Sequence, residues 1–264
     1  MARRISVAAT GEFGGDVLER LASDHDVVQL FTRPDKPRGR GRKLAAPPAK
    51  EVAERLGIPF EQPAKLDDSV GIAAHTVVVC AYGLLIPNEL LERALWLNVH
   101  PSLLPRWRGA APVERALLAG DDETGVTIHR TVEALDAGPV AAQRAFAIAP
   151  EDDAGAVYAR SAEVAAELLR DVLAQEEPRF EPQPEEGVTY ADKIRPEDRE
   201  LDPDAPAWEL VNRVRALSPH IGARLGDLIV WRARVGEDGS FEPVEVQRAG
   251  GRRMAYDAYL RGRR

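Results

Sequence analysis

TVVVCAYGLLIPNELLERALWLNVHPSLLPRWRGAAP, residues 76–112, opens with a β-branched run, passes through a helical pattern and returns to a second apolar run. Short Val-rich runs bounded by Gly and Pro suit buried strands, so the spacing predicts a strand at Thr76–Ala81, a helix at Pro87–Leu95 and a strand at Leu95–Val99. Strand, helix, strand in that order is parallel βαβ construction. Towards the N-terminus the alternation continues, with strands predicted at Ile5–Ala8 and Val27–Thr32 and helices at Gly15–Ala22 and Pro48–Leu56. Pro48 suits a helix start, where a missing amide hydrogen leaves nothing unpaired, and Gly57 suits its close. Gly11-Glu12-Phe13-Gly14-Gly15 follows the first strand but lacks the G-x-G-x-x-G spacing of a dinucleotide loop, and reads as a tight strand-to-helix turn.

Beyond Gly125, Val126–His129 and Val140–Ile148 read as two further strands around a turn holding Leu135-Asp136-Ala137-Gly138. A long helix from about Ala154 to Gln175 carries Val157, Val164, Leu168 and Val172 near one face. Residues 177–206 contain six prolines among many acids, a composition that favours an extended linker. Past it, Trp208, Val211, Val214 and Leu217 recur at helical spacing, and Leu228–Val235 and Pro243–Gln247 are strand candidates. The expected division is a catalytic domain at 1–176, a linker at 177–206 and a small, shortened β-rich domain at 207–264.

The 264 residues carry a formal charge of -8, with 44% hydrophobic and 30% charged residues, the balance of an ordinary globular protein with enough apolar material for a core. The single cysteine, Cys80, lies in an apolar run, which excludes a disulfide framework and a cysteine zinc site in a monomer and suits a buried hydrophobe. His25, His75, His129 and His220 are scattered without metal-ligand spacing; they read as surface or core residues, and no metal is expected. No run reaches membrane-spanning length and the start lacks a secretory pattern, so a cytoplasmic protein, by default monomeric, is expected. Charge is uneven. Residues 33–43, RPDKPRGRGRK, hold six basic residues against Asp35, and the last seventeen hold six arginines against Asp257.

Asn98 and His100 are two apart in a predicted strand and project from one face at its carboxyl end, where open parallel sheets bind ligands. The loop that follows, with three prolines and a glycine, is suited to a fixed backbone wall. An amide beside an imidazole suits acyl transfer, the pair stabilising an oxyanion while the imidazole exchanges a proton with an attacking amine. It equally suits a turn cap beside a core histidine bonded to backbone, and composition leaves both readings open. Asp136 is the candidate for orienting the imidazole, with shaping its own turn as the alternative role. No serine sits in a G-x-S-x-G elbow, which points to direct transfer without a covalent acyl-enzyme.

Ala81-Tyr82-Gly83-Leu84-Leu85-Ile86-Pro87, then Asn98 through Pro112, then Gly120-Asp121, Thr124 through Ile128 and Leu135 through Val140 closely resemble the methionyl-tRNA formyltransferase family. The resemblance implies a Rossmann-like α/β domain with a small OB-like barrel, here abbreviated, and transfer of a formyl group from 10-formyltetrahydrofolate to the amino group of initiator methionyl-tRNA. It implies that Asn98, His100 and Asp136 are catalytic, that Ser102, Leu103, Leu104 and Pro105 form one wall of the folate pocket, and that Tyr82, Leu84 and Ile86 line the other. Related enzymes that formylate amino-sugar nucleotides share the Asn, His and Asp, and His129-Arg130 looks more like theirs. The basic segment separates the two: Arg33, Lys36, Arg38, Arg40, Arg42 and Lys43 resemble the family's tRNA-contacting loop, and a cationic, glycine-bearing loop suits phosphate tracking.

Overall fold

A computed structural model describes residues 2–38 and 43–262. The chain forms two compact units, one of Met1–Arg108, Gly125–Ala145 and Ala159–Val188, the other of Gly109–Thr124, Phe146–Tyr158 and Thr189–Arg264. The segment expected as a linker is divided between them, residues 177–188 belonging to the first and 189–206 to the second.

A seven-stranded sheet organises the first unit. Its strands are β1 (Arg4–Ala9), β2 (Asp26–Phe31), β3 (Phe60–Glu61), β4 (Thr76–Cys80), β5 (Leu95–His100), β6 (Glu123–Arg130) and β7 (Val140–Ala147), in spatial order β7-β6-β5-β4-β1-β2-β3. The five strands β3-β2-β1-β4-β5 are parallel, and β6 pairs antiparallel with β5. Strands covered on both faces read as continuous apolar runs, which is why Ile5, Val7, Ala8 and Ala9 of β1 and Val77 to Cys80 of β4 are all buried. The strand order reverses between β1 and β4, and such a switch opens a crevice outside the carboxyl ends of the strands. Cys80 is buried, and burial pushes its thiol well above the usual range.

Helix α1 (Glu12–Asp24) follows β1 by a tight turn, and it lies so close that a Cβ on Gly14 would stand 2.7 Å from the Cys80 carbonyl oxygen. Helix α2 (Pro48–Leu56) starts on its proline and closes at Gly57 with φ of 70°, as the sequence predicts. The helix expected over Pro87–Leu95 is only α3 (Asn88–Leu91). Leu95 pairs with Thr76 and donates its amide to the His75 carbonyl at 2.8 Å, so the sheet ladder claims that residue and the chain turns before it. After β2, Lys36–Arg38 and Lys43–Ala45 pair as a short antiparallel hairpin.

The second unit carries α4 (Pro112–Ala119) and α6 (Ala207–Leu217); α5 (Ala154–Ala174), between them in sequence, belongs to the second unit over 154–158 and to the first over 159–174. Along α5, Val157, Leu168, Leu169 and Val172 are buried while Val164 is half-buried. A four-stranded antiparallel sheet follows in sequential order: β8 (Ala223–Leu225), β9 (Leu228–Val235), β10 (Phe241–Arg248) and β11 (Arg253–Ala255), with α7 (Tyr256–Arg261) after it. Its core holds Leu210, Val214, Leu217, Val230 and Val246, so the inward face of α6 is offset from the predicted one and Trp208 is 55% exposed. The strands expected at Leu228–Val235 and Pro243–Gln247 are β9 and β10. The sequence did not signal β8 and β11, three-residue edge strands that each carry an arginine. Among the described residues this is a β-rich module one strand short of the five of an OB barrel.

Candidate active site

Asn98 and His100 leave the same face of β5 at its carboxyl end, and the antiparallel ladder sets Asn98 opposite His129 and His100 opposite Thr127. The segment joining β6 to β7 carries Asp136 back to this face. One carboxylate oxygen, Oδ2, lies 3.6 Å from His100 Nδ1, and the other accepts from Asn98 Nδ2 at 3.2 Å. On its far side, His100 Nε2 is 2.8 Å from the Trp107 carbonyl oxygen. A carbonyl only accepts, so Nε2 carries a hydrogen and Nδ1 faces the carboxylate. The three residues predicted from sequence are therefore together, and the His100 and Asp136 side chains are only 5% and 12% exposed.

The Asp136 segment is clamped from behind. Gln183 donates from Nε2 to the carbonyls of Asp136 and Gly138, both at 2.8 Å, while its Oε1 accepts from Arg108 Nη2 at 2.6 Å. Asp136 has φ of 46°, a left-handed conformation that Asp tolerates better than most residues. A Cβ on Gly138 would overlap the Arg130 carbonyl oxygen, so the turn lies against β6 only with glycine there. Trp107, whose carbonyl holds His100, has φ of 64°, uncommon for a bulky residue and in keeping with a site that fixes its backbone.

The loop after β5 is rigidly held. Ser102 is fully buried and donates to the Arg106 carbonyl at 2.7 Å; Thr127 donates to the Ser102 carbonyl at 2.7 Å and accepts from the Leu104 amide; Gln143 donates to the Leu104 carbonyl at 3.0 Å. Leu104 is buried, whereas Leu103 and Pro105 are half-buried. In the loop after β4, Tyr82 is 2% exposed, with Leu84 and Ile86 packed against its cluster and Leu85 pointing out at 91%. Thr10 donates to the Tyr82 carbonyl at 2.9 Å, tying this loop to the one after β1. The Tyr82 hydroxyl is buried with no hydrogen-bond partner, and burial pushes its pKa up to about 12.

The basic segment is anchored at its root. Arg33 donates to the Gly83 carbonyl at 2.9 Å, so its guanidinium joins the loop after β2 to the loop after β4. Asp35 accepts from Lys50 at 2.8 Å and from Gln62 at 2.7 Å, and those bonds hold its carboxyl below the usual range. Lys36 is exposed, and Arg38 and Lys43 pair through their backbones. Arg40 and Arg42 lie outside the described residues.

The formyl transferase family profile matches residues 3–173. Over its whole length the chain is 40% identical to the methionyl-tRNA formyltransferase of Halorhodospira halophila, covering 97% of that protein. The chain belongs to the methionyl-tRNA formyltransferase family. The alignment is longer than the chain, so that family member carries residues with no counterpart here. The fold is shared with the N-formyltransferase of Helicobacter canadensis solved with folinic acid and dTDP-3-aminofucose, at a TM-score of 0.70 and 16% identity over 97% of this chain and 99% of that one. It is shared also with the methionyl-tRNA formyltransferase of Clostridium thermocellum, at a TM-score of 0.64 and 15% identity over 94% and 99%.

Two residues of the site escaped the sequence reading of this family member. His129, read as a surface or core residue, stands against Asn98, with Nε2 2.9 Å from Asn98 Nδ2 and 3.7 Å from Asp136 Oδ1. Burial lowers its pKa to about 4, against the pull of Asp136, so the ring is neutral. The signal was its spacing from Thr127, two polar residues on one face of a predicted strand, matching Asn98 and His100 next to it. Gln183 gave no signal, being one amide in a proline-rich acidic stretch. Among the described residues no group of His, Cys, Asp and Glu is placed to hold a metal, and no helix is long and apolar enough to cross a membrane.

Proposed function

We propose that the protein transfers a formyl group from 10-formyltetrahydrofolate to the amino group of initiator methionyl-tRNA, in the cytoplasm. The observation that carries this is the meeting of Asn98, His100 and Asp136 at the carboxyl end of β5 in a chain related along its whole length to methionyl-tRNA formyltransferases. Direct attack by an amine on a formyl carbon builds negative charge on the formyl oxygen. Asn98 stabilises that charge by donating an N–H, and His100 by the positive charge its ring carries once it has taken a proton. The Trp107 carbonyl keeps a hydrogen on His100 Nε2, which leaves Nδ1, beside Asp136, as the ring nitrogen that gains or loses a proton. Asp136 orients the ring, and Gln183 orients Asp136.

Bound folate supplies the activated formyl group. Ser102, Leu103, Leu104 and Pro105 hold it on one side and Tyr82, Leu84 and Ile86 on the other. The fit rests on an apolar lining of Leu and Ile, on a backbone braced by Thr127 and Gln143, and on the Tyr82 hydroxyl, a buried donor with no partner. Lys36, Arg38, Arg40, Arg42 and Lys43 track the RNA backbone, with Arg33 seating their loop. In this division of labour the unit of residues 1–108, 125–145 and 159–188, Gln183 included, performs the chemistry, and the other unit is the accessory module. Formyl transfer to charged initiator tRNA, assayed beside a panel of amino-sugar nucleotides, tests the assignment. Transfer to the tRNA is expected; efficient formylation of an amino-sugar nucleotide without transfer to tRNA would replace it with the sugar activity.

A further inference from the structure

His129 occupies the β6 position directly opposite Asn98 in the antiparallel ladder. Both of its ring nitrogens have a partner. Nδ1 is 3.1 Å from the Arg130 carbonyl oxygen, which only accepts, so Nδ1 carries the hydrogen. Nε2 is then an unprotonated acceptor, 2.9 Å from Asn98 Nδ2. This sets the amide's orientation: its nitrogen faces two acceptors, His129 Nε2 and Asp136 Oδ1, and its carbonyl oxygen faces away from both. The ring is 1% exposed, with Asp136, His100 and Arg108 as its charged or titratable neighbours, and burial keeps it neutral.

We propose that His129 is a positioning residue for formyl transfer, its Nε2 holding one N–H of the Asn98 amide at 2.9 Å so that the other, given to Asp136 through the longer 3.2 Å bond, passes to the formyl oxygen during the reaction. The proposal rests on the role of Asn98 given above. With an apolar side chain at position 129 the amide keeps only the longer bond to Asp136, and rotation about its last torsion is opposed by one partner in place of two. The loss falls on the transition state, where the amide must already be in place, and hardly at all on substrate binding.

The test is a kinetic set of N98A, H129M, H129Q and N98A/H129M, with kcat and KM for donor and acceptor. H129M is expected to lower kcat about tenfold, the effect of one lost hydrogen bond, with both KM values within about twofold of wild type. H129Q, whose side-chain carbonyl also accepts, is expected to recover most of that loss. In the N98A background H129M is expected to change nothing further. Near-normal turnover in H129M beside a crippled N98A overturns the proposal while leaving Asn98 in the mechanism, and so do losses that multiply in the double variant. Normal turnover in N98A itself removes Asn98 and the proposal together. Imidazole ¹⁵N chemical shifts of the wild-type protein test the same point without any variant: Nε2 is expected to be unprotonated at neutral pH, and an Nε2–H tautomer overturns the assignment.

Discussion

The basic hairpin and the Asn98 site both leave the carboxyl side of one parallel sheet, the first after β2 and the second at the end of β5. In the site, the side chains of His100, His129 and Asp136 are at most 12% exposed and each is held within the protein. In the hairpin, Lys36 is exposed and Leu44 is 72% exposed, and the root is bonded to the body of the fold through Arg33 and Asp35. Buried dipoles are screened little by salt, whereas exposed charges are screened within about 8 to 10 Å at ordinary ionic strength. Under the proposed function the contrast separates chemistry from capture: the buried region is expected to act on the reacting atoms and to ignore ionic strength, the exposed one to act on phosphates and to respond to it.

The strongest blow to that contrast comes from N98A. Removal of one preorganised oxyanion donor typically costs about 2.7 to 4 kcal/mol, so kcat should fall roughly a hundredfold or more with little change in folate KM or in the salt dependence of tRNA binding. A variant with wild-type turnover breaks the assignment of chemistry to this face.

Next is a pH effect on stability. The His129 pKa is about 4 in the folded protein against an ordinary 6.5, so the unfolded chain binds the extra proton first. Its contribution is complete above pH 6.5 and is lost as the pH falls towards 4, by roughly 2 to 3 kcal/mol. In denaturant melts between pH 7.5 and 4.5, wild type should therefore lose stability relative to H129M as the pH falls; a constant difference contradicts a neutral, buried ring.

For the hairpin, joint replacement of Arg38, Arg40 and Arg42 by Ala should weaken tRNA binding and flatten its salt slope by roughly two units, at about 0.7 to 0.9 per phosphate. Turnover of a small amine acceptor should hardly move. An unchanged slope in a filter-binding salt titration takes the loop out of RNA capture. The smallest effect is expected from Q183A, which frees the Asp136 and Gly138 carbonyls: kcat lower by about fivefold at constant KM. Loss of folate binding in its place would mean that Gln183 shapes the pocket, not the carboxylate.

Residues whose placement follows from short-range spacing were legible. The i, i+2 pair Asn98 and His100, the Pro48 start and Gly57 close of α2, and the Val-rich β4 each carry their rule within a few positions. Asp136 was legible only as a turn residue with a candidate partner. What brings it to His100 is the pairing of β5 with β6 across some thirty positions, which local pattern does not encode. His129 was legible only as a surface or core residue, and it is buried; its place beside Asn98 was not, because a lone histidine in a strand has no pattern until its cross-strand partner is known. The α3 region misled because a helical spacing and a strand start shared Leu95, and the ladder won.

The Gln183 clamp also sets an order in time. A nascent chain that ends before residue 183 contains Asn98, His100, His129 and Asp136 but not the amide that fixes the Asp136 and Gly138 carbonyls. The arrangement around His100 is therefore completed only when a late segment, about 45 residues beyond Asp136, folds back onto it. Synthesis of this protein delivers the side chains of the proposed site first and the clamp on Asp136 afterwards.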